Sequence, residues 1–522
     1  MLPVAGVKKG SIVFYEFEAI DKPYFLMVHH FFHEGAPADR VRFQLELPSG
    51  WKQRVHWLRH EGPAATPDGA VSTWELRDLP GPLDEEMAPD PAEDAPLLAV
   101  QVVPAGDVAG DTALFGNWSD FARWFGRISA GRDAVTPPIA AAAERAVAAA
   151  GDGADLLARV ESAGRQVRDR VRYVAVELGI GGYQPRPAAQ TLENLYGDCK
   201  DKGTLLQAML SSQSVPSYPV LVNLTMKETV VENDPIGLFN HYIVAVPVPP
   251  GVAPPERFLP ALLDAGDLGR LIVVDTTDEM ISIGSLSAGL SGKKALVVTK
   301  DGGRVVTLPG DSASAHRIVR SLDTDATEGA GLSGRWESTY SGQFAADARA
   351  HYRASHDDRR KEIERRLKDL WPDALMTDHA VEYETGSGVF VERVTFRRAG
   401  GWGKGAVALF PGAADEILRV PLGRCKGAVA YDHPGTIRYE VKHRGVPGAP
   451  PAGRSLQGEG WSVTTQVERR ETEITGVWEL KLERPRFDPE DFPELRKLWT
   501  AMTATTSAAI AQPPSDGATP GF

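Results

Sequence analysis

The stretch from Leu192 to Leu210, LENLYGDCKDKGTLLQAML, constrains this chain more than any other. It carries Cys199, one of two cysteines in 522 residues, directly after a Gly-Asp corner. Behind the cysteine, Leu205, Leu206, Met209 and Leu210 recur at helical spacing. The pattern predicts a helix that starts at or near Cys199 and buries its other side. The first amide groups of a helix have no intrahelical acceptor, and the helix field favours an anion there, so the position suits a thiolate. A lone cysteine can equally be buried and inert, so this stretch needs company before it means chemistry.

The length implies more than one core, about two to four domains. With 42% hydrophobic and 24% charged residues the composition is that of a globular protein. A formal charge of −13 argues against broad nucleic-acid binding, which needs a basic surface. The basic run RRKEIERRLK at 359–368 reads as the solvated face of a helix whose apolar stripe is Ile363, Leu367 and Leu370. Cys199 and Cys425 are too few for a disulfide scaffold and do not form a metal-ligand pair; no metal or organic cofactor is implied. No apolar run reaches the length of a membrane span. The opening MLPVAGVKKGSIV lacks the parts of a signal peptide, so the chain as written reads as cytoplasmic.

Residues 1–135 read as a β-rich domain, a sandwich or large curved sheet, with strands at 12–19, 24–32 and 41–48. The acidic, proline-rich 78–96 reads as an exposed loop, and 118–128, with Trp118, Phe121, Trp124 and Phe125 near one helical face, as a packing element between domains. Residues 136–310 form a core: two helical stretches broken at Gly151–Gly153, the cysteine helix, three strands (218–224, 241–248, 270–277) and a hairpin over 295–309. Residues 311–486 return to β structure with one inserted helix at about 356–371; a terminal helix follows at 487–502 and a flexible tail at 503–522. The fold class expected is therefore multidomain α+β, a central core flanked by two mainly antiparallel, sandwich-like β domains.

A nucleophilic cysteine needs a base, and the base needs an orienting group. His241 opens the strand HYIVAV and Asp275 ends the strand RLIVVD. If those strands are neighbours, the imidazole can stand between the carboxylate and the helix N-terminus that bears Cys199. His29, His30 and His33, with no cysteine or carboxylate at ligand spacing, read as ordinary surface or core histidines; Cys425, in Gly-Arg-Cys-Lys-Gly, reads as incidental.

The run YGDCKDKGTLLQAML, followed by YPVLVN, FNHYIVAV and VVDTT, resembles the core of the bacterial transglutaminase-like proteins, within the papain-like cysteine enzymes. The opening LPVAGVKKGSIVFYEFE resembles the β-rich domain that commonly precedes such a core, and FDPEDFPELRKLW its closing segment. The resemblance implies Cys199 as nucleophile, His241 as base and Asp275 as the residue that orients it. It also implies acyl transfer on a peptide, protein or cell-wall amide through a Cys199 thioester. Tyr183 and Gln184 are candidates for the second oxyanion donor, and Asn240 and Tyr242 for shaping the cleft. The Asp-Thr-Thr after the last strand departs from the family's usual Asp-Pro-Thr. Relatives often carry an export signal ahead of this chain's start, which would make the protein periplasmic or envelope-bound. The competing reading is a non-catalytic binding or scaffolding protein that keeps the fold. Substrate and oligomeric state are not legible.

Overall fold

In the computed structural model the described residues are 6–20, 22–32, 35–58, 60–81, 85, 87–89, 95–106, 113–326, 331–354, 356–384, 388–400, 402, 407–411, 413, 426–446, 448–506 and 509–510. The architecture is α+β in several layers, with antiparallel sheets on either side of a mixed helix-and-strand centre.

The N-terminal part holds β1 (Met27–Phe31), β2 (Ala38–Glu46), β3 (Lys52–Leu58), β4 (Thr66–Asp68), β5 (Val71–Leu79) and β6 (Leu97–Val103). They form two three-stranded sheets, ordered β1-β6-β3 and β2-β5-β4. Phe32, Leu98 and Val100 meet Trp74 and Phe43 between the sheets. The opposite face of β6, with Leu97 and Ala99, packs through Met27 and Phe31 on Val231 and Ile236 of the centre. The strand expected at 12–19 is not formed. Residues 11–20 belong to no sheet, and Ile12, Phe14, Phe17 and Ile20 are exposed. Their β-forming composition is real, but a strand requires a neighbouring edge, and the described residues offer them none.

Helix α1 (Trp118–Ser129) opens with an Asn117/Asp120 capping box. Its Trp118, Phe121, Trp124 and Phe125 are all buried, packed with Phe25, Phe115 and Phe239. The aromatic face thus joins the N-terminal strands to the central core, as its spacing predicts.

The centre contains α2 (Pro137–Ala150), α3 (Leu156–Arg170), β7 (Arg172–Tyr173), α4 (Ala188–Asn194), β8 (Tyr196–Gly197) and α5 (Cys199–Ser212). Then come β9 (Tyr218–Val222), β10 (His241–Pro247), β11 (Leu262–Asp264), β12 (Arg270–Val274), β13 (Lys294–Thr299) and β14 (Gly302–Thr307). The sheet runs β11-β12-β10-β9-β13-β14. β10 lies antiparallel between β9 and β12, with His241 opposite Val222 and Val244 opposite Val274. Their almost unbroken apolar runs reflect burial on both faces: α5 lies against β10. The segment between β10 and β12 supplies a short helical turn at Glu256–Ala261 and the edge strand β11.

The C-terminal part has β15 (Arg317–Asp325), β16 (Leu332–Ser341), α6 (Gln343–Ala354), α7 (His356–Leu370), β17 (Leu375–Glu384), β18 (Val389–Arg398), β19 (Val407–Ala408), β20 (Val429–Ala430), β21 (Gly435–Arg444), β22 (Arg454–Gly458), β23 (Trp461–Arg470), β24 (Glu473–Leu482), β25 (Arg486–Phe487), α8 (Phe492–Thr506) and β26 (Ala509–Ile510). Eight of these strands make one sheet, β17-β18-β16-β15-β21-β24-β23-β22, antiparallel except for the parallel pair β15–β21. β24 alternates buried and half-buried residues along its length, the mark of one covered face.

Three expectations need correction here. Two helices, not one, stand between β16 and β17: Gly342, at φ +61, ends the strand, and the alanine-rich 343–354 winds into α6. The terminal helix runs on to Thr506, where Thr505 Oγ1 accepts from buried Trp478 Nε1 at 2.9 Å, and Ala509–Ile510 of the expected tail pairs with Val407–Ala408. The acidic 78–96 loop is docked where it is described: Glu85 accepts from the amides of Lys426 and Gly427, and Met87 joins the C-terminal core. Cys425 lies outside the described residues.

Candidate functional site

Asp198 caps α5. Its side chain accepts from the Asp201 amide at 3.2 Å, and Asp201 reaches back to the Asp198 amide at 3.3 Å, completing a capping box. Cys199 is therefore the first residue of the helix, and its N–H is among those without an intrahelical acceptor. Asp201 does more than cap. Its other oxygen accepts from the Arg186 amide at 2.7 Å and fastens the approaching loop to the helix.

Both lysines point inward. Lys200, 4% exposed, pairs with Asp198 at 2.5 Å. Lys202 is wholly buried and donates to the carbonyl oxygens of Arg168 and Val171, tying the end of α3 to the cysteine helix. Burial holds its pKa down to about 8. Solvated surface roles are excluded for both.

The strand order brings His241 and Asp275 together. His241 Nε2 lies 2.8 Å from Asp275 Oδ2, and Cys199 stands close enough to the imidazole to act on its charge. Asp275 Oδ1 accepts from Thr277 N at 2.8 Å and Thr277 Oγ1 at 2.7 Å. The Asp-Thr-Thr sequence thus fixes the carboxylate by an Asx-type turn instead of a proline. Burial by itself would press the His241 pKa down. The Asp275 carboxylate, followed by Cys199, outweighs it and raises the group to about 10. Asp275 is driven up by burial, but the histidine and Thr277 more than compensate and leave it below its ordinary value. The histidine is an imidazolium at neutral pH, facing sulfur on one side and carboxylate on the other.

Cys199 and His241 stand on the wall of a cleft of about 470 Å³. Tyr183, Asn240 and Tyr242 line it too. Tyr183 packs edge-on against Tyr24, Phe25 and Trp124. Asn240 accepts from the Leu224 amide and donates to Thr225, so it shapes the 223–226 turn. Tyr242 is buried with its hydroxyl on Gln207, directly beneath Gly203 of the cysteine helix. Gln184 is not part of the cleft: its amide donates to the Ile128 carbonyl at 2.7 Å, so it is committed to the end of α1. A larger cavity, about 740 Å³, opens between α2, α3, α4 and α5, and contains none of these groups.

Two further side chains, Tyr173 and His29, stand beside the site. Tyr173 pairs with Gly197 through β7 and β8, two residues before Cys199; burial, then the charges of Cys199 and Asp198, keep its phenol protonated. His29 lines the cleft from the N-terminal part, and burial lowers it to about 4. Alternation at positions 25, 27 and 29 is the one clue that these side chains share a face. Among the described residues no group of three or more histidines, cysteines or carboxylates could hold a metal ion. Among the described residues no helix is long and apolar enough to cross a membrane.

No protein-family model and no curated protein matches the sequence. Among solved structures, the chain is similar to a crystallised "putative protease" from Parabacteroides distasonis. The TM-score is 0.53 at 11% identity, over 94% of this chain and 75% of that one. At that identity the likeness concerns the fold. A "putative cysteine protease" from Cytophaga hutchinsonii aligns at a TM-score of 0.17 and 11% identity over 42% of this chain and 71% of that one, too low to bear on the argument.

Proposed function

We propose that this protein is a cysteine-dependent acyl-transfer enzyme acting on amide or peptide bonds, and that residues 136–310 form a papain-like, transglutaminase-like catalytic core. The observation that supports this reading is the His241–Asp275 hydrogen bond on the same cleft wall as Cys199, the first residue of its helix. The fold likeness to a structure described as a protease agrees with it.

In this reading the Cys199 sulfur attacks the amide carbonyl carbon, and the oxyanion forms beside the Cys199 N–H, one preorganised donor. The C–N bond then breaks as His241 delivers its proton to the departing nitrogen, leaving a thioester on Cys199. Water or an amine attacks the thioester, gives its proton to His241, and releases the acyl product and the thiolate. Asp275 holds the ring with Nε2 toward itself and Nδ1 toward the sulfur, and it stabilises the charged ring without taking the proton. Hydrolysis and amine transfer share every step but the last. The alternative of a binding protein that keeps only the fold would not need a raised histidine between two buried partners beside a cleft.

A structure or intact-mass measurement with an electrophilic amide analogue, such as a peptide aldehyde, tests the reading. A covalent adduct at Cys199, absent in His241→Gln, is expected. A folded protein that never forms the adduct contradicts it.

A further inference from the structure

Phe25, Met27 and His29 lie two residues apart along β1 and its approach, and all three line the cleft that holds Cys199 and His241. Phe121 and Phe125 of α1 and Phe239, just before β10, continue the lining, with Phe121 edge-on against Phe25. The N-terminal sheet, far from the nucleophile in sequence, therefore builds one wall of the candidate active site. We propose that this wall selects the substrate: it receives a bulky apolar side chain, aromatic or long aliphatic, of a peptidic acyl donor whose carbonyl is presented to Cys199. The inference rests on the acyl-transfer reading above and adds the substrate class.

Charge supports it. The ionisable groups beside the nucleophile are already matched, Lys200 with Asp198 and His241 with Asp275. His29, with its pKa held near 4 by burial, is uncharged at neutral pH. Glu177, the other ionisable group on the lining, is exposed. A charged substrate side chain would leave water for aromatic faces and a neutral imidazole, the exposed Glu177 carboxylate being screened by solvent, whereas an apolar one exchanges water for rings. The volume, about 470 Å³, suits one large side chain with its flanking backbone rather than a flat docking face.

The test measures Cys199 modification, by peptide-mapped mass spectrometry, with acyloxymethyl ketones of one peptide that differ only in the adjoining residue: Phe, Leu, Gly, Lys or Asp. Iodoacetamide, which has no side chain to select, serves as the reference. Phe and Leu reagents should react at least ~10-fold faster than Gly, and Lys and Asp no faster than Gly. Met27→Glu should lower the Phe-to-Gly ratio and raise the Lys-to-Gly ratio, with iodoacetamide reporting whether Cys199 remains intact in the variant. Equal rates across the series, alongside His241-dependent iodoacetamide labelling, overturn the selecting wall and leave the catalytic reading standing. Failure of every reagent, iodoacetamide included, to modify Cys199 in folded protein overturns both.

Discussion

His241 Nε2 and Asp275 Oδ2 stand 2.8 Å apart, with side chains only 4% and 6% exposed. A buried pair of this kind costs little while intact and much when broken, because removing one partner strands the other's charge. His241→Ala should therefore destabilise the protein by about 3–5 kcal/mol. His241→Gln, which can still donate to the carboxylate, should lose less. Urea unfolding of the two variants beside the native protein measures the difference.

The same pair makes stability depend on pH in a defined direction. His241 is raised from 6.5 to about 10, so its contribution is complete below 6.5 and is lost as pH climbs through about 10. Asp275 lies below its ordinary 3.8, so its contribution is present above that value and is lost as pH falls through the depressed one. The stability advantage of the native protein over Asp275→Asn should be greatest near pH 5–6 and shrink toward both extremes, the alkaline decline starting near neutrality. Thermal unfolding of both proteins across the pH range would show it; an advantage that grows toward pH 10 would contradict the assigned charges.

Thr277 gives Asp275 two donors, its amide and its hydroxyl. Thr277→Val keeps the shape and the amide but removes the hydroxyl. The expected cost is about 1–3 kcal/mol, typical of a hydrogen bond to a charged group, with slower Cys199 alkylation at neutral pH as the carboxylate loosens. Thr277→Ser should retain most of both, which separates the hydroxyl from simple packing.

Gly203 lies where the cysteine helix crosses β10. A Cβ there would come within 2.3 Å of the buried Tyr242 ring, whose hydroxyl is held by Gln207. Gly203→Ala should lift α5 off the sheet, costing about 1–3 kcal/mol from overpacking despite alanine's better helix propensity. Tyr242→Leu in the same chain should recover part of the loss, because it removes the atoms in the way. A double-mutant cycle reads the coupling directly.

The site's backbone logic was plain in the sequence where chemistry and local pattern coincided. Gly-Asp before Cys199 and Asp201 after it announce a capped helix, and the runs beginning at His241 and ending at Asp275 announce buried strands, whose adjacency only the sheet order settles. Gln184 could not be placed the same way, since a loop amide's partner, here the Ile128 carbonyl, is set by tertiary packing. Nor could Lys200 and Lys202, charged residues whose burial depends on Asp198 and on carbonyls of α3. His29 was hidden for a deeper reason: it reaches the cleft through the docking of a separate sheet, and no local periodicity encodes that contact. The 12–19 segment shows the converse, β-forming composition without an edge to pair with.

The central claim is that His241 makes Cys199 a nucleophile, and the pH dependence of Cys199 alkylation by iodoacetamide tests it most directly. In a Cys425→Ser background, compare the otherwise native chain with His241→Gln, each checked for folding by circular dichroism. Alkylation of His241→Gln should be at least ~10-fold slower at pH 6.5 than that of the histidine-bearing chain. Superimposable profiles for the two folded proteins would contradict it.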